Sequence, residues 1–251
     1  MIEMNGVNHS IGRAAILQDI TATLPRGRIT ALIGPNGAGK STLLSLIARL
    51  EPVQQGQIRV EGLDIGQSDS RELARRLAIL PQNAGVMSRL RVRELVGFGR
   101  WPHHQGRPGP ADRRKVDEAM ARLALTDLAD RFLDQLSGGQ RQRAHLAMTL
   151  AQDTDWLLLD EPLAALDMAH ARALMAELAA LRDAGRSVVM VLHEINHAAA
   201  WADHVLAMKG GRIHAEGTPA EVFTPGVLEP LYDMPLRIAQ FEGRPMVLHH
   251  L

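Results

Sequence analysis

Cysteine, surplus charge and long hydrophobic runs are all missing from this chain of 251 residues. Without cysteine the chain forms neither disulfides nor a thiolate metal site, which fits a reducing compartment. Because 28 basic residues balance 28 acidic ones, the chain lacks the positive charge typical of proteins that bind nucleic acid or anionic lipid. Its longest apolar runs, such as residues 156–159 and 188–192, are too short to cross a bilayer. Residues 1–6 do not resemble a signal peptide, so we expect a cytoplasmic chain that reaches a membrane only through a partner.

The apolar pattern divides the chain into an α/β part and a helical part. Residues 83–151 have helical periodicity and no convincing strand, and we expect Asp112 to cap a helix there after a loop at 103–110. We predict that this block is a helical insertion and that residues 226–251 form a helix and a hairpin turning at Glu242-Gly243. The remaining short apolar segments predict strands at 2–7, 16–24, 29–33, 57–60, 77–80, 156–160, 187–192, 205–208 and 212–216, and helices up to about 50, at 169–184 and at 194–202.

A glycine-rich segment joins the predicted strand at 29–33 to a helix. It matches the phosphate-loop pattern G-x-x-x-x-G-K-[ST], in which backbone N–H groups bind phosphate oxygens. Lysine supplies a cation for the β- and γ-phosphates and the following hydroxyl is a ligand for Mg²⁺. An ordinary glycine turn is the alternative, but the strand before the segment and the helix after it favour a nucleotide site. The predicted ATP-binding residues are Gly34, Pro35, Asn36, Gly37, Ala38, Gly39, Lys40, Ser41 and Thr42.

Two further polar positions follow predicted buried strands. Asp160 and Glu161 end the strand at 156–160, and Gln82 lies just beyond the strand at 77–80. Because ligands of parallel sheets bind beyond the carboxyl ends of the strands, all three side chains are candidates for the site. Asp160 is the expected Mg²⁺ ligand, and Glu161 is placed to orient or deprotonate an attacking water. Acidic pairs at strand ends are commonly only solvated, so this assignment depends on the phosphate loop.

A second anion-binding feature is predicted at residues 136–140. Ser137 and Gln140 form an S-x-x-Q capping box, so a helix should begin here and continue to about Met148. Gly138 and Gly139 leave its first turn without side chains, although glycine lowers helix propensity. This cost favours a function that requires close approach to the helix N-terminus over a simple capped helix.

With residues 136–140, the motifs together resemble those of the ABC-type ATPases, in the order of that family and over essentially the whole chain. Residues 34–42 are similar to its Walker A motif, Gln82 to its Q-loop, residues 136–140 to its signature and Asp160-Glu161 to its Walker B motif. Leu166-Asp167 resembles the D-loop and His193 the switch histidine. The resemblance implies an α/β fold, a P-loop NTPase with a RecA-like core at 1–82 and 152–225 that includes an antiparallel β subdomain. It also implies that 83–151 is the inserted helical subdomain and 226–251 a C-terminal extension, all within one ABC ATPase domain at 1–251.

The resemblance also implies a mechanism and partners. Lys40, Gln82, Glu161 and His193 would be catalytic, and Ser41, Gln82 and Asp160 would hold Mg²⁺. Two copies would pair head to tail, so that ATP lies between the phosphate loop of one and Ser137, Gly138, Gly139 and Gln140 of the other, with Asp167 at the dimer contact. The homodimer would sit peripherally on the cytoplasmic face of the inner membrane, on two integral-membrane permease subunits supplied by a substrate-binding protein. No nucleic-acid partner is expected.

Residues 92–102 narrow the resemblance to the ATPases of iron(III)-siderophore, haem and cobalamin importers. Residues 151–155, 166–168 and 191–196 are most similar to the iron-siderophore branch. Haem or cobalamin import remains an alternative, as does a soluble ABC-type ATPase of translation or DNA maintenance. That last class would be expected to carry two cassettes or a long coiled-coil insertion. An exporter cassette is disfavoured by residues 92–102 and by the missing membrane segment.

Two departures from the family pattern concern the adenine and the dimer. ABC ATPases usually carry an aromatic residue upstream of the phosphate loop that stacks on the base, whereas residues 9–12 offer only His9 or Ile11. Residues 163–167 contain alanines where polar residues are common, which predicts weaker contacts across the dimer. The pairs His103-His104 and His249-His250 are interpreted as solvated, since no third metal ligand is indicated.

Overall fold

A computed structural model describes residues 1–82 and 89–248. Residues 83–88, which begin the predicted helical insertion, and the pair His249-His250 lie outside the described residues. The strands are β1 (Ile2–Ile11), β2 (Ala14–Leu24), β3 (Ile29–Ile33), β4 (Gln55–Val60), β5 (Leu63–Asp64), β6 (Leu77–Leu80), β7 (Trp156–Asp160), β8 (Ser187–Val191), β9 (His204–Lys209), β10 (Arg212–Gly217), β11 (Arg237–Phe241) and β12 (Arg244–Leu248). The helices are α1 (Lys40–Ile47), α2 (Ser70–Arg76), α3 (Val92–Phe98), α4 (Trp101–His104), α5 (Pro110–Arg122), α6 (Gly138–Ala151), α7 (Met168–Asp183), α8 (Ile195–Trp201), α9 (Pro219–Val222) and α10 (Pro225–Tyr232).

A six-stranded sheet in the order β10-β9-β3-β8-β7-β6 occupies the centre of the molecule. Strands β9, β3, β8, β7 and β6 are parallel to their neighbours, and β10 pairs antiparallel at the edge. Every residue of β3, β7 and β8 is buried, because both faces of the sheet are covered. The carboxyl ends of β3, β6, β7 and β8 therefore meet along one edge, from which the candidate site is built.

Each face of this sheet has its own apolar core. One face packs against α1 and an antiparallel sheet of order β2-β1-β4-β5, through residues such as Leu32, Leu43 and Ile58. The other face packs against α7, α8 and the helices at 92–151, through residues such as Ala31 and Leu174. These layers agree with the predicted α/β fold that combines an antiparallel β part with a helical insertion. The exact domain boundaries stay a prediction.

Several helix boundaries differ from those predicted. Helix α2 was not predicted, although Asp69 caps it by accepting from the N–H groups of Arg71 and Glu72. Asp112 is not the N-cap of α5: it lies in the first turn and accepts from the N–H of Gly109, because Pro110 already begins the helix. Part of the predicted loop at 103–110 belongs to α4, and α1 ends at Ile47 rather than near residue 50.

The C-terminal part follows the prediction closely. Helix α10 precedes a two-stranded sheet of β11 and β12, and the turn between them lies at Glu242 and Gly243, both with positive φ. In the part of the chain that the structure describes, every helix is too short or too polar to span a bilayer.

Candidate active site

The phosphate loop begins where β3 ends and closes onto the N-terminus of α1. Gly34 has φ +138°, and a Cβ at this position would overlap the backbone carbonyl of Met208 in β9. Gly39 is the N-cap of α1 with φ +93°, and a Cβ there would come within 2.6 Å of the Leu17 side chain. Both positions require glycine, because side chains would clash and the conformation is left-handed. The adjacent strands therefore fix the path of the loop.

Lys40 is a cation held in the centre of this loop. Its side chain is 6% exposed, and Nζ donates to the backbone carbonyls of Gly34 at 2.7 Å and Pro35 at 2.9 Å. Burial lowers the pKa of Lys40, and the nearby Glu161 and Asp160 carboxylates oppose that shift. Among the residues that the structure describes, no carboxylate lies within ion-pair distance of Lys40. A buried cation without a salt-bridge partner fits a site that takes an anion.

Ser41 and Asp160 come together from different elements. The Ser41 hydroxyl, in the first turn of α1, donates to Asp160 Oδ1 at 3.0 Å from the end of β7. Asp160 is 5% exposed, and burial raises its pKa, while the Ser41 hydroxyl partly opposes the shift. A hydroxyl and a carboxylate are hard oxygen donors of the kind that Mg²⁺ prefers. Among the described residues, no group of three or more His, Asp or Glu side chains is arranged to hold a metal ion.

One oxygen of Glu161 has two short side-chain contacts. Glu161 Oε1 accepts a hydrogen bond from Gln82 Nε2 at 2.6 Å and lies 2.6 Å from His193 Nε2, although the three residues follow three different strands. The backbone of Glu161 has φ +52°, a left-handed conformation that is unfavourable for a residue with a side chain. Such strain is common at active sites, where it aims a side chain away from the regular strand direction. The structure thus brings Gln82, Glu161 and His193 together as a group.

These elements enclose an open cleft of ≈ 460 Å³. Its lining includes the apolar side chains of Ile11 and Ile16 and the Gln82–Glu161–His193 group. Ile11 is 61% exposed, whereas His9 is 4% exposed, so only Ile11 of the two predicted candidates lines the cleft. Ile16 was missed, because only the packing of β2 beside the loop places it there. The full lining is Ile11, Ile16, Asn36, Gly37, Ala38, Gly39, Lys40, Ser41, Thr42, Gln82, Glu161 and His193.

The predicted signature residues lie elsewhere on the same chain. Ser137 is the N-cap of α6: its hydroxyl accepts from Gln140 N at 3.2 Å, and Gln140 Oε1 accepts from Ser137 N at 3.1 Å. The capping box is therefore confirmed. Ser137 and Gly138 are exposed, and none of the four residues from 137 to 140 lines the cleft among the described residues.

The signature packs instead against the predicted D-loop of its own chain. A Cβ on Gly139 would lie 2.9 Å from the backbone oxygen of Ala165. Two residues later, Asp167 caps α7 by accepting from the backbone N–H of His170 at 2.8 Å. Asp167 also pairs with the His170 ring and keeps an exposed side chain, which leaves it available at the surface. Glycine at position 139 therefore allows close packing within the chain and also leaves the N-terminus of α6 without a side chain.

Comparison with known proteins identifies relatives over the whole length. The family model described as "ABC transporter" matches residues 17–164. The petrobactin import ATP-binding protein YclP of Bacillus subtilis (strain 168) is 44% identical over 97% of this chain and 97% of its own length. The hemin import ATP-binding protein HmuV of Streptomyces coelicolor is 42% identical over 93% of this chain and 83% of its own. A dimeric, ADP- and phosphate-bound structure of the ATP-binding cassette MJ0796 has a TM-score of 0.79 at 27% identity, covering 87% of this chain and 98% of its own.

Proposed function

The chain belongs to the ABC transporter family and is one of its ATPases, and we propose that it energises the import of iron(III)-siderophore complexes. The observation that carries the proposal is the 44% identity to a petrobactin import protein over nearly the full length of both chains. The cargo is inferred from relatives, because the residues of the candidate site would bind a nucleotide. Membership of the family rests on the sequence, whereas the role of each residue rests on the chemistry of the cleft.

The phosphate loop and Lys40 would bind the triphosphate. The free N–H groups at the start of α1 and the Lys40 ammonium supply positive charge where phosphate oxygens would lie. Binding would draw Lys40 Nζ from the carbonyls of Gly34 and Pro35 to the anion. Ser41, Asp160 and Gln82 would hold Mg²⁺, which when bound neutralises charge on the β- and γ-phosphates.

Glu161 would act as the general base. Its carboxylate takes a proton from water while the water oxygen attacks the γ-phosphorus, and the bond to the β-phosphate oxygen breaks. Gln82 and His193 already contact the same carboxylate oxygen, so they would fix its orientation in the nucleotide-free state. His193, which is half-exposed, would then be free to contact the γ-phosphate when a nucleotide displaces this arrangement.

A second copy of the chain would complete the site. Ser137 and Gly138 are exposed, and residues 137–140 do not line the cleft of the phosphate loop among the described residues, so head-to-tail pairing would place ATP between the two features. The dimeric cassette that resembles this chain supports this arrangement. The dimer would bind two membrane permease subunits from the cytoplasmic face, with a separate substrate-binding protein on the far side.

The in vitro test uses Glu161→Gln. Glutamine keeps the shape and the hydrogen-bonding oxygen but is no base, so kcat for ATP should fall by roughly 10²-fold or more. The variant should still bind MgATP and accumulate as a dimer in size-exclusion chromatography. If the purified variant turned over ATP at near the wild-type rate, Glu161 would not be the base.

The cargo is tested by growth of a strain that lacks this chain. Under iron limitation, ferric petrobactin should restore growth when the wild-type chain is supplied and should fail when Glu161→Gln is supplied at the same level. Import of haem is the second candidate, because the HmuV relative is almost as similar. Rescue by haem and not by any ferric siderophore would replace the first proposal with the second. Equal rescue by Glu161→Gln would show that hydrolysis at this site does not drive import.

A further inference from the structure

The C-terminal segment, defined here as residues 225–248, is an element that the nucleotide chemistry does not use. It consists of α10 and the hairpin of β11 and β12, and β12 packs against α8. Leu236 and Val247 are 6% and 2% exposed, so the segment is docked on the body of the protein rather than loosely attached. Helix α8 follows His193 directly in the chain, with only Glu194 between them.

Asn196 ties this hairpin to α8 through a paired hydrogen bond. Its Nδ2 donates to the backbone oxygen of Val247 at 3.1 Å, and its Oδ1 accepts from the Val247 N–H at 2.8 Å. The side-chain amide thus satisfies both backbone groups of one strand residue, which an aliphatic side chain cannot do. Asn196 lies at the start of α8, three residues after His193. A shift of this end of the helix would therefore move the histidine most directly.

A second contact holds the other end of the same helix. The Arg244 guanidinium, from β12, donates to the backbone oxygen of Ala200 near the C-terminus of α8. The hairpin therefore contacts α8 at both ends. A seven-residue helix has little stability of its own, so its position depends on such tertiary contacts.

An open cavity of ≈ 1100 Å³ lies between α7 and α8. Its largely apolar lining includes Leu166, Ala169, His193 and Trp201, and Arg244 of the hairpin also lines it. Because α8 borders this cavity, its placement depends on its own buried residues and on the C-terminal hairpin. His193 stands at the rim of both this cavity and the nucleotide cleft.

The segment is also held against the central sheet. Lys209 of β9 forms an ion pair with Asp233 at 2.7 Å. Burial raises the pKa of Tyr232, the last residue of α10, to about 12, and the Gly34 backbone partly opposes the shift. The segment thus contacts both the central sheet and the helix that follows His193.

We propose that the C-terminal segment supports the hydrolysis site and that Asn196 is a positioning residue, which holds His193 at the nucleotide cleft through α8. The inference rests on the proposed ATP hydrolysis. The observations that carry it are the Asn196–Val247 pair, the Arg244–Ala200 contact and the open cavity between α7 and α8. Loss of the amide would let α8 shift and would displace His193 from the nucleotide cleft.

The test is a double-mutant cycle of Asn196→Ala and His193→Ala in the full-length chain. Asn196→Ala should lower kcat for ATP by roughly tenfold with little change in KM, because small displacements of catalytic groups cost rate rather than ground-state binding. In the His193→Ala background, measured by single turnover with enzyme in excess, the same substitution should cost less than about twofold. Equal losses in both backgrounds would mean that Asn196 supports the fold generally, and the proposal would be wrong.

Gln240→Ala is the matched control, since it removes an exposed amide from the same hairpin and should keep wild-type kcat. Amide hydrogen exchange supplies a readout that does not depend on activity. Asn196→Ala should speed exchange in residues 192–201 and leave α7 unchanged, whereas unchanged exchange in both regions would overturn the proposal. If the wild-type chain failed to hydrolyse ATP, the proposed function would fall, while the exchange experiment would still decide whether the segment braces α8.

Discussion

At the scale of single residues, Asp160 is a buried carboxylate whose charged form is disfavoured by its surroundings. Burial raises its pKa above the ordinary value of 3.8, Glu161 adds to the shift, and the Ser41 hydroxyl and Lys40 oppose it. The folded state therefore binds more protons than the unfolded state between 3.8 and the raised pKa, so stability falls as pH rises through that window. Above the raised pKa this cost is fully present.

Asp160→Asn should therefore stabilise the nucleotide-free protein while it impairs Mg²⁺-dependent turnover. We expect a higher Tm at pH 8, by a few degrees, since about 1 kcal/mol shifts Tm by about 2–4 °C in a chain of this size. The gain should shrink as pH falls through the raised pKa, because the wild-type carboxyl then becomes protonated as well. Calorimetry at pH 4.5 and 8 without nucleotide makes the comparison. A lower Tm for the variant at pH 8 would contradict the assigned cause of the shift.

Ile11 raises a separate question at residue scale, namely how the base is held. It is exposed and lines the cleft together with Ile16, and no aromatic side chain lines that cleft among the described residues. Stacking of a base on an aromatic ring contributes about 1–3 kcal/mol. A site without it should hold the triphosphate well and discriminate bases poorly.

Ile11→Tyr should consequently tighten ATP binding by about tenfold, which is the lower part of the range expected for one stacking contact. The wild-type chain should bind ATP and GTP with similar Kd, measured by titration with fluorescent analogues of both. Ile11→Val is the control, because it changes the apolar contact without adding a ring. Strong preference of the wild type for ATP over GTP would show that another group recognises adenine.

At the scale of elements, the N-terminus of α6 depends on two glycines with different surroundings. A Cβ on Gly139 would lie 2.9 Å from the Ala165 backbone oxygen, whereas a Cβ on Gly138 would lie 3.8 Å from the Ala165 side chain. The distance at Gly139 would be a clash with the backbone, and the distance at Gly138 would be an ordinary van der Waals contact. The two positions therefore provide a matched pair of substitutions.

Gly139→Ala should destabilise the protein by roughly 1–3 kcal/mol, as overpacking against a rigid backbone commonly does. Gly138→Ala should be neutral or slightly stabilising, because alanine favours helix more than glycine does. Urea unfolding of both variants measures the difference. Equal stability of the two variants would mean that α6 and the loop before α7 move apart easily enough to accommodate the methyl group added at position 139. The close packing at Gly139 would then not limit stability.

The elements also show what the sequence could and could not predict. Buried parallel strands such as β7 and β8 and the capping box at Ser137 were predictable, because their signals are local and continuous. Helix α2 was missed although Asp69 and Glu72 have the spacing of a capping box, since its seven residues show little apolar periodicity. Asp112 was predicted to be the N-cap of α5, but it lies in the first turn because Pro110 begins the helix ahead of it.

The residues of the candidate site also divide into those that local patterns predict and those that only the tertiary structure brings together. Local patterns predicted the phosphate loop and the acidic pair, and the sheet brought Gln82, Glu161 and His193 to one point as expected for the carboxyl ends of parallel strands. The burial of His9, the entry of Ile16 into the cleft and the contact of Asn196 with Val247 were not predictable. Each depends on segments that are distant in sequence, so no local pattern records it.

At the scale of the whole molecule, the two predicted halves of the ATP site lie apart within one chain. The phosphate loop lines the cleft, whereas residues 137–140, of which Ser137 and Gly138 are exposed, do not line it among the described residues. In the proposed function a single chain would bind phosphate but would lack the second set of donors. A dimer in which each chain supplies one half to the other accounts for both observations, and it makes hydrolysis dependent on association.

Mixing two inactive variants tests this arrangement directly. Lys40→Ala disables the phosphate loop and Ser137→Arg blocks the start of α6, so a dimer of one chain each should contain one fully intact composite site. Random pairing at a 1:1 ratio should then give about a quarter of wild-type ATPase activity, if sites act independently in a two-fold dimer. Each variant alone should remain inactive at every concentration, and a mixture of Lys40→Ala with Lys40→Ala/Ser137→Arg is the control that should stay silent. If the mixture never exceeded the separate variants, while both variants folded and bound each other, ATP would not lie between two chains.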